Sequence, residues 1–462
     1  MASAFLRIRA LPGRAGTEVK TRLLVASLLG LALTAATAIV WVAHAPRQGW
    51  LPDCQPVETV HEVRHEDFAP SVLVVTRPCG ESVGRPYVVF ANYIGPVDAD
   101  YYMGKEPARS LLTPRDSHHF AFAWLARALA RQGIATVRYD PIAIRSRKRE
   151  GAAFIGATVV EEDLIRVRRA DFSGLLAKVV AQADDLLERP DNAPVVFVGH
   201  SGGAFTVGDF LENQAQRRGA QAQAPRPFGF VGISPAVSDA TGALQQRWRF
   251  WVRKTSVCLG RSHKAACLEE LRANAFFPIV FHDPASRREV EEIFSSAPSA
   301  ADVVSLLDEA LSRRALEWES LEYHRKDGIS LLNGRYAIQQ SLYHSLAFRA
   351  PSSVPLSCHT RAAVLVYGSE DYVLESAAET AAWTRACGRP GDVVVLPDLG
   401  HALGEDTVYG PPSLQALEIV VRSVLSVVDR MANVTDPLTP ASSGTSPPAS
   451  PSSSPPWTGR RR

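Results

Sequence analysis

The chain carries almost no excess of charge. Lysine and arginine (50) nearly balance aspartate and glutamate (48), leaving +2 over 462 residues. That leaves no net basic field to hold nucleic acid, and no such partner is expected. Cysteine is scarce: six residues, none in a C-x-x-C array. Zinc-ribbon and thioredoxin-type sites therefore fall away. No internal repeat is evident, so nothing points to a repeat array. What is abundant is apolar. Hydrophobic residues make up 46% of the chain, enough core for one large domain or roughly two to three ordinary ones.

One apolar stretch is different in kind. Leu23 to Ala43 is uncharged for 21 residues, which as a helix spans about 30 Å, the thickness of a bilayer's hydrocarbon core. Arg7, Arg9, Arg14, Lys20 and Arg22 precede it, against a single Glu18. The positive-inside rule then keeps the N-terminus cytoplasmic and exports the rest. Trp41 suits the outer interface. The rival is a cleaved signal peptide, because Ala43-His44-Ala45 has the small-x-small pattern. The run exceeds the usual ~7–15 residues of such a segment, and Pro46 would follow the cut, so an uncleaved anchor is favoured. The six cysteines all follow this run, consistent with an oxidising compartment. Nearest-neighbour pairing gives Cys54–Cys79, Cys258–Cys267 and Cys358–Cys387, with unpaired buried cysteines as the alternative. From about Asp436 the chain is rich in Pro, Ser and Thr and ends Arg460-Arg461-Arg462. It lacks apolar residues to offset the cost of ordering, so a disordered tail is expected.

The most specific chemistry lies at Gly199-His200-Ser201-Gly202-Gly203, after the apolar run Val195–Val198. A β-branched strand runs into a G-x-S-x-G turn, and an amphipathic segment follows (Ala204, Phe205, Val207, Phe210, Leu211). Such an elbow strains the serine backbone, and its neighbours must lack colliding side chains. It also aims the N–H of Gly202 at a substrate oxygen. Two further strands end in chemistry-bearing turns. Ala362–Tyr367 leads to Gly368-Ser369-Glu370-Asp371, and Asp392–Pro397 leads to Asp398-Leu399-Gly400-His401. In an open parallel sheet the C-terminal strand ends line one crevice, so Ser201, Asp371 and His401 can converge. A serine hydroxyl is a weak nucleophile until a histidine takes its proton, and a carboxylate fixes the imidazole tautomer. Glu370 and Glu375 are rival acids; position favours Asp371.

Two more segments carry a family resemblance. Val88-Val89-Phe90-Ala91-Asn92-Tyr93-Ile94-Gly95-Pro96-Val97-Asp98-Ala99-Asp100 resembles the strand and loop V-V-x-x-H-G-S-G-P-x-D-R-D of bacterial α/β-hydrolase esterases. Phe122 to Asp140 is similar to their helix, strand and R-Y-D turn. The resemblance covers most of 71–240 and 356–430. It implies an α/β-hydrolase fold: a mostly parallel, doubly wound sheet with an inserted helical cap. It also implies that the backbone N–H of Ile94 is a second oxyanion donor beside Gly202. The chain departs from the family at Asn92-Tyr93, where the family has His-Gly, and at Pro141–Ile144 after the R-Y-D turn. Both departures alter the pocket wall and leave the three catalytic candidates untouched.

His61-Glu62-Val63-Arg64-His65 matches the zinc-protease string H-E-x-x-H. That chemistry needs a helix, which brings i and i+4 to one face. Val57, Thr59, Val60 and Val63, with Pro56 and Pro70 at the flanks, predict an extended segment instead. In a strand the two histidines lie ~13 Å apart, too far for one zinc. Between Ser234-Pro235-Ala236 and Val354 the spacing is helical, as in Ala300–Leu311 and Ala337–Leu346, and this stretch is the expected cap. Trp248, Phe250, Trp251, Phe276 and Phe277 are candidates for an acyl pocket or for plain core.

The organisation expected is a basic segment (1–22), a membrane anchor (23–43), a linker and first strand (44–70), a core in two parts (71–240 and 356–432), a cap (241–355) and a tail (433–462). The expected activity is a serine hydrolase acting on a small-molecule or lipid ester without a metal or organic cofactor. It is expected to partner the membrane through the N-terminal helix, and its catalytic domain lies outside the cytoplasm or is secreted after cleavage. Peptidase, thioesterase and acyltransferase chemistry use the same three groups. A hydrolase-like binding scaffold and an H-E-x-x-H metalloprotease are the readings of other classes.

Overall fold

A computed structural model describes residues 55–78, 80, 85–91, 99, 121–146, 149–150, 153–154, 157–190, 193–219, 226–237, 240–273, 284–320, 331–332, 336–337, 360–371, 374–387, 392–404 and 412–432. The apolar run 23–43, the loop 92–98 with Ile94, and the tail 433–462 lie outside these residues. Among the described residues no helix is long and apolar enough to cross a membrane.

An eight-stranded sheet organises the chain. Its strands are β1 (Val57–Val63), β2 (Ser71–Arg77), β3 (Tyr87–Ala91), β4 (Thr136–Tyr139), β5 (Val195–His200), β6 (Phe228–Ile233), β7 (Ala362–Gly368) and β8 (Asp392–Leu396). The spatial order is β1-β2-β4-β3-β5-β6-β7-β8. Strand β2 runs antiparallel to both neighbours, and the strands from β4 to β8 are mutually parallel.

Helices α1 (Ala121–Arg131), α2 (Glu161–Arg166), α3 (Arg169–Leu186), α4 (Gly203–Gly219), α5 (Ala240–Leu259), α6 (Lys264–Ala273), α7 (Pro284–Ser296), α8 (Ala300–Ser320), α9 (Ser376–Cys387) and α10 (Leu414–Ala432) complete the described frame.

The central strands read as unbroken apolar runs because both of their faces are covered. Side chains alternate between two cores. Tyr87, Val89, Val195, Phe197, Phe228, Phe230, Leu365 and Tyr367 pack on the side of α3, α4 and α9. Val88, Phe90, Val196, Val198, Val231, Ile233, Val364 and Val366 pack on the side of α1 and α10. Helix α10 follows the same logic: Leu417, Val420, Val424, Val427 and Val428 are buried at helical spacing.

Edge strand β1 is held by an ion pair inside the fold. Arg138 of β4 is fully buried, and its guanidinium donates to Thr76 Oγ1 at 2.7 Å and to Glu58 of β1 at 3.0 Å. A buried guanidinium needs such partners, since losing one leaves an uncompensated charge.

The stretch expected to form a cap holds helices α5 to α8 among its described residues. Ser299 and Asp302 form a reciprocal capping box that opens α8. Val303, Leu307, Ala310 and Leu311 bury one face of it, and they join the same core as Phe250 and Trp251 of α5. The expected Cys258–Cys267 disulfide is present and links the end of α5 to α6. The other two expected pairs involve Cys54, Cys79 and Cys358, outside the described residues. The helical spacing read over Ala337–Leu346 does not hold at its start. Ala337 ends a short strand, Tyr336–Ala337, paired antiparallel with Leu331–Leu332. The intervening Asn333-Gly334 is a strong hairpin signal that outweighs the apolar spacing; residues 338–346 lie outside those described.

Candidate active site

Ser201 follows β5 directly and precedes α4. Gly199 and His200 close the strand, and Gly203 opens the helix. Ser201 is left-handed, with φ +48°, a conformation that costs a non-glycine residue of order 1–3 kcal/mol. Backbone contacts hold it there. Its N–H donates to Ile233 O at 2.9 Å, and its carbonyl accepts from Ala204 N and Ala236 N at 3.2 Å. The elbow is thus tied to the end of β6 and to the chain leaving it. Gly202, the nearer oxyanion candidate, sits in this turn.

The other two candidates meet each other. Asp371 follows β7 and His401 follows β8. His401 Nδ1 lies 3.0 Å from Asp371 Oδ2 and 3.1 Å from Oδ1, and the two side chains are 0% and 1% exposed. A carboxylate only accepts, so Nδ1 carries the hydrogen. Asp371 Oδ1 also accepts Leu374 N–H at 3.0 Å. The rival acids point elsewhere: Glu370 pairs with Lys254, and Glu375 lies 3.4 Å from Arg253.

The loops that carry this pair are bound to each other through backbone. Ser369 N–H donates to Leu396 O at 2.8 Å, and Glu370 N–H donates to Leu399 O at 2.9 Å. Asp398 N–H donates to Ser369 Oγ at 2.9 Å. The approach is so close that a Cβ on Gly368 would sit 1.9 Å from Leu399 O and 2.6 Å from Gly400 O. Only glycine fits at the end of β7. Nothing in the sequence marks Gly368 apart from its turn setting.

Sequence reasoning treated His200 as an elbow residue and missed its second contact. Its Nε2 lies 3.2 Å from the backbone carbonyl of His401, and the two rings are 4.9 Å apart. Burial first, and then the neighbouring His401, hold the His200 imidazole well below its ordinary range. A neutral ring facing a carbonyl donates through Nε2–H, so this bond fixes its tautomer too. Ser201 is thereby joined, through its preceding residue, to the loop that bears His401. Tyr367 also faces this region: its hydroxyl donates to Pro235 O at 3.2 Å, and burial, then the carboxylates of Glu379 and Asp371, push it well above its ordinary range. Glu379 accepts Val237 N–H at 2.5 Å, which anchors the chain leaving β6.

The loop after β3 is fixed at one described point. Asp140 of the R-Y-D turn accepts Ala99 N–H at 2.7 Å and donates its own N–H to Val72 O at 2.9 Å. Ile94 lies outside the described residues, so its predicted oxyanion position is not placed. Among the candidate pocket aromatics, Phe250 and Trp251 are buried in the core, and Phe250 lies beneath the cations of Arg253 and Lys254 at 5.5 Å. Phe276 and Phe277 lie outside the described residues.

The H-E-x-x-H segment is extended over β1, as expected, and its first imidazole contacts Thr59 Oγ1 at 2.9 Å. The two histidines share no helix face.

No family model matches the chain, and no curated protein matches it. Solved structures do resemble it. A thermophilic esterase from Thermogutta terrifontis, with malate bound, aligns at a TM-score of 0.37 and 13% identity over 80% of this chain and 99% of its own. The esterase RhEst1 from Rhodococcus sp. ECU1013 gives 0.39 and 14% over 80% and 98%. Brefeldin A esterase, a bacterial homologue of human hormone-sensitive lipase, gives 0.40 and 16% over 82% and 79%.

Proposed function

We propose that the chain is a serine hydrolase of the α/β-hydrolase kind that cleaves carboxylic esters through an acyl-enzyme. One observation carries the reading. A buried imidazole is held by Nδ1 against a buried carboxylate, and its loop is bonded through His200 to the strand–helix elbow that carries a left-handed serine. With Nδ1–H given to Asp371, Nε2 of His401 is the nitrogen able to take a proton from Ser201. Ser201 Oγ attacks the acyl carbon, and the N–H groups of Gly202 and Ile94 hold the oxyanion. His401 then returns its proton to the leaving alcohol. A water, deprotonated by the same nitrogen, releases the acid. A fluorophosphonate probe tests this. Labelling of the folded protein that disappears in Ser201→Ala supports the hydrolase, and no labelling of folded protein supports a binding scaffold. A panel of p-nitrophenyl esters, peptide amides and acyl thioesters then separates the chemistries that share these groups.

The run Leu23–Ala43 serves in this reading as an anchor that leaves the catalytic domain outside the cytoplasm. Full-length protein in the carbonate-washed membrane fraction is the expected result. Soluble protein cut near Ala45 is the opposing one.

A further inference from the structure

The second histidine of the H-E-x-x-H string leaves the strand and enters a different setting. His65 lies two residues beyond β1, and its side chain is only 9% exposed. Neither ring nitrogen has a hydrogen-bond partner. Buried polar atoms nearly always find partners, so an imidazole with both nitrogens unsatisfied requires an explanation. Two carboxylates face it. His65 Nε2 lies 3.9 Å from Asp171 Oδ1 and 4.0 Å from Glu66 Oε1. One ligand atom from each of the three residues falls within 4.8 Å of the others.

The surroundings fit a purpose-built pocket. Asp171 spends Oδ2 on the N-terminus of α3, accepting Arg168 N–H at 2.6 Å, and turns Oδ1 to the imidazole. Two arginines close in sequence are engaged elsewhere: Arg166 pairs with Asp163 at 2.7 Å and lies over Phe68, and Arg64 faces Glu62. Among the described residues neither Glu66 nor Asp171 has a lysine or arginine partner. Phe68 stacks on the imidazole, with ring planes 7° apart. On α3, the glycine at 174 makes room: a Cβ there would lie 2.5 Å from His65 Cε1 and 2.8 Å from Nε2. A glycine inside a helix costs roughly 0.5–1 kcal/mol against alanine, and here it is what lets the ring enter.

We propose that His65, Glu66 and Asp171 form a binding site for a divalent cation of the zinc class. One imidazole and two carboxylates are a donor set that such ions accept, with water completing the coordination. Zinc bonds of ~2.0–2.1 Å at tetrahedral angles place donors ~3.3 Å apart. Rotation of Glu66, whose side chain is 68% exposed, and of Asp171 would bring the ligand atoms, now within 4.8 Å of one another, to that spacing. The bound ion would clip the turn after β1 to the start of α3. It shares no residue with the Ser201 site, and it does not use His61.

Zn²⁺ titrated calorimetrically into the untagged full-length chain, stripped with chelator, tests the assignment. The expected result is one ion per chain and a melting temperature that rises with Zn²⁺, as for any ligand of the folded state. Glu66→Gln, at an exposed position that should not affect folding, is expected to weaken binding at least ~10-fold, the lower end of what disturbing a metal's support costs. Gly174→Ala keeps all three ligands and displaces the ring, so it should weaken binding likewise. His61→Gln should bind as the parent does. Absence of saturable binding, binding unchanged in both Glu66→Gln and Gly174→Ala, or binding abolished by His61→Gln would each overturn the proposal.

Discussion

The acid and histidine loops differ from the helices of 240–320 in how they are attached. Between the Asp371 and His401 loops the links are mainly backbone hydrogen bonds, drawn so tight that residue 368 must be glycine. Between α5 and the acid loop run two ion pairs, Lys254–Glu370 and Arg253–Glu375, on side chains that are 39–56% exposed. Backbone links in a buried place fix positions to fractions of an ångström. Exposed ion pairs are individually worth roughly 0–1 kcal/mol and weaken with salt. The candidate reacting groups therefore sit on loops locked by backbone, whereas α5 meets the acid loop through exposed ion pairs at the edge of a shared apolar core.

Four perturbations would break or sharpen this contrast. The largest effect is expected at the reacting groups themselves: Ser201→Ala or His401→Ala should each lower ester turnover by at least ~10⁴, and the double variant should be little worse, because such groups act as a unit. Steady-state kinetics on an activated ester measures this. Next comes the rigid loop pair without its chemistry. Gly368→Ala keeps every candidate reacting group but forces the loops apart, and a misplacement of about 1 Å is expected to cost on the order of 10² in turnover. A variant with unchanged kcat would show that the backbone contact does not set the geometry.

The third perturbation concerns His200. Its folded form resists protonation, whereas the unfolded chain takes a proton near the ordinary value of about 6.5. The unfolded state then binds more protons as pH falls through that value, so the stability contribution is complete above it and declines below it. Denaturant melts at descending pH should show this slope, and His200→Gln should flatten it. The smallest effect belongs to the exposed links. The Arg253→Ala, Lys254→Ala double variant should change stability by less than about 1 kcal/mol per pair, and the difference should shrink at high salt.

The sequence revealed those features that rest on local pattern. Phe228–Ile233 and Val195–Val198 were readable as strands because burial on both faces leaves no polar residue to interrupt them. Ser201, Asp371 and His401 stand out as candidates because each follows such a run at a turn. What escaped depends on contacts across the fold. The need for glycine at 368 comes from Leu399 pressing on it from another strand's loop. The partner of Arg138 is Glu58, 80 residues earlier. The contact of His200 with His401 spans 201 positions. The helical reading at Ala337 fails for a local reason: the Asn333-Gly334 dipeptide just before it is a turn signal that apolar spacing does not register.

The buried pairing of Arg138 with Glu58 sets where any working fragment has to begin. A truncation that trims the chain to β2, attractive because β1 is a short edge strand, would leave a buried guanidinium without the carboxylate of Glu58. Removing one member of such a pair typically costs 3–5 kcal/mol, a large share of what a domain has in total. Expression designs for the catalytic body should therefore start ahead of Val57 and keep the edge strand whole.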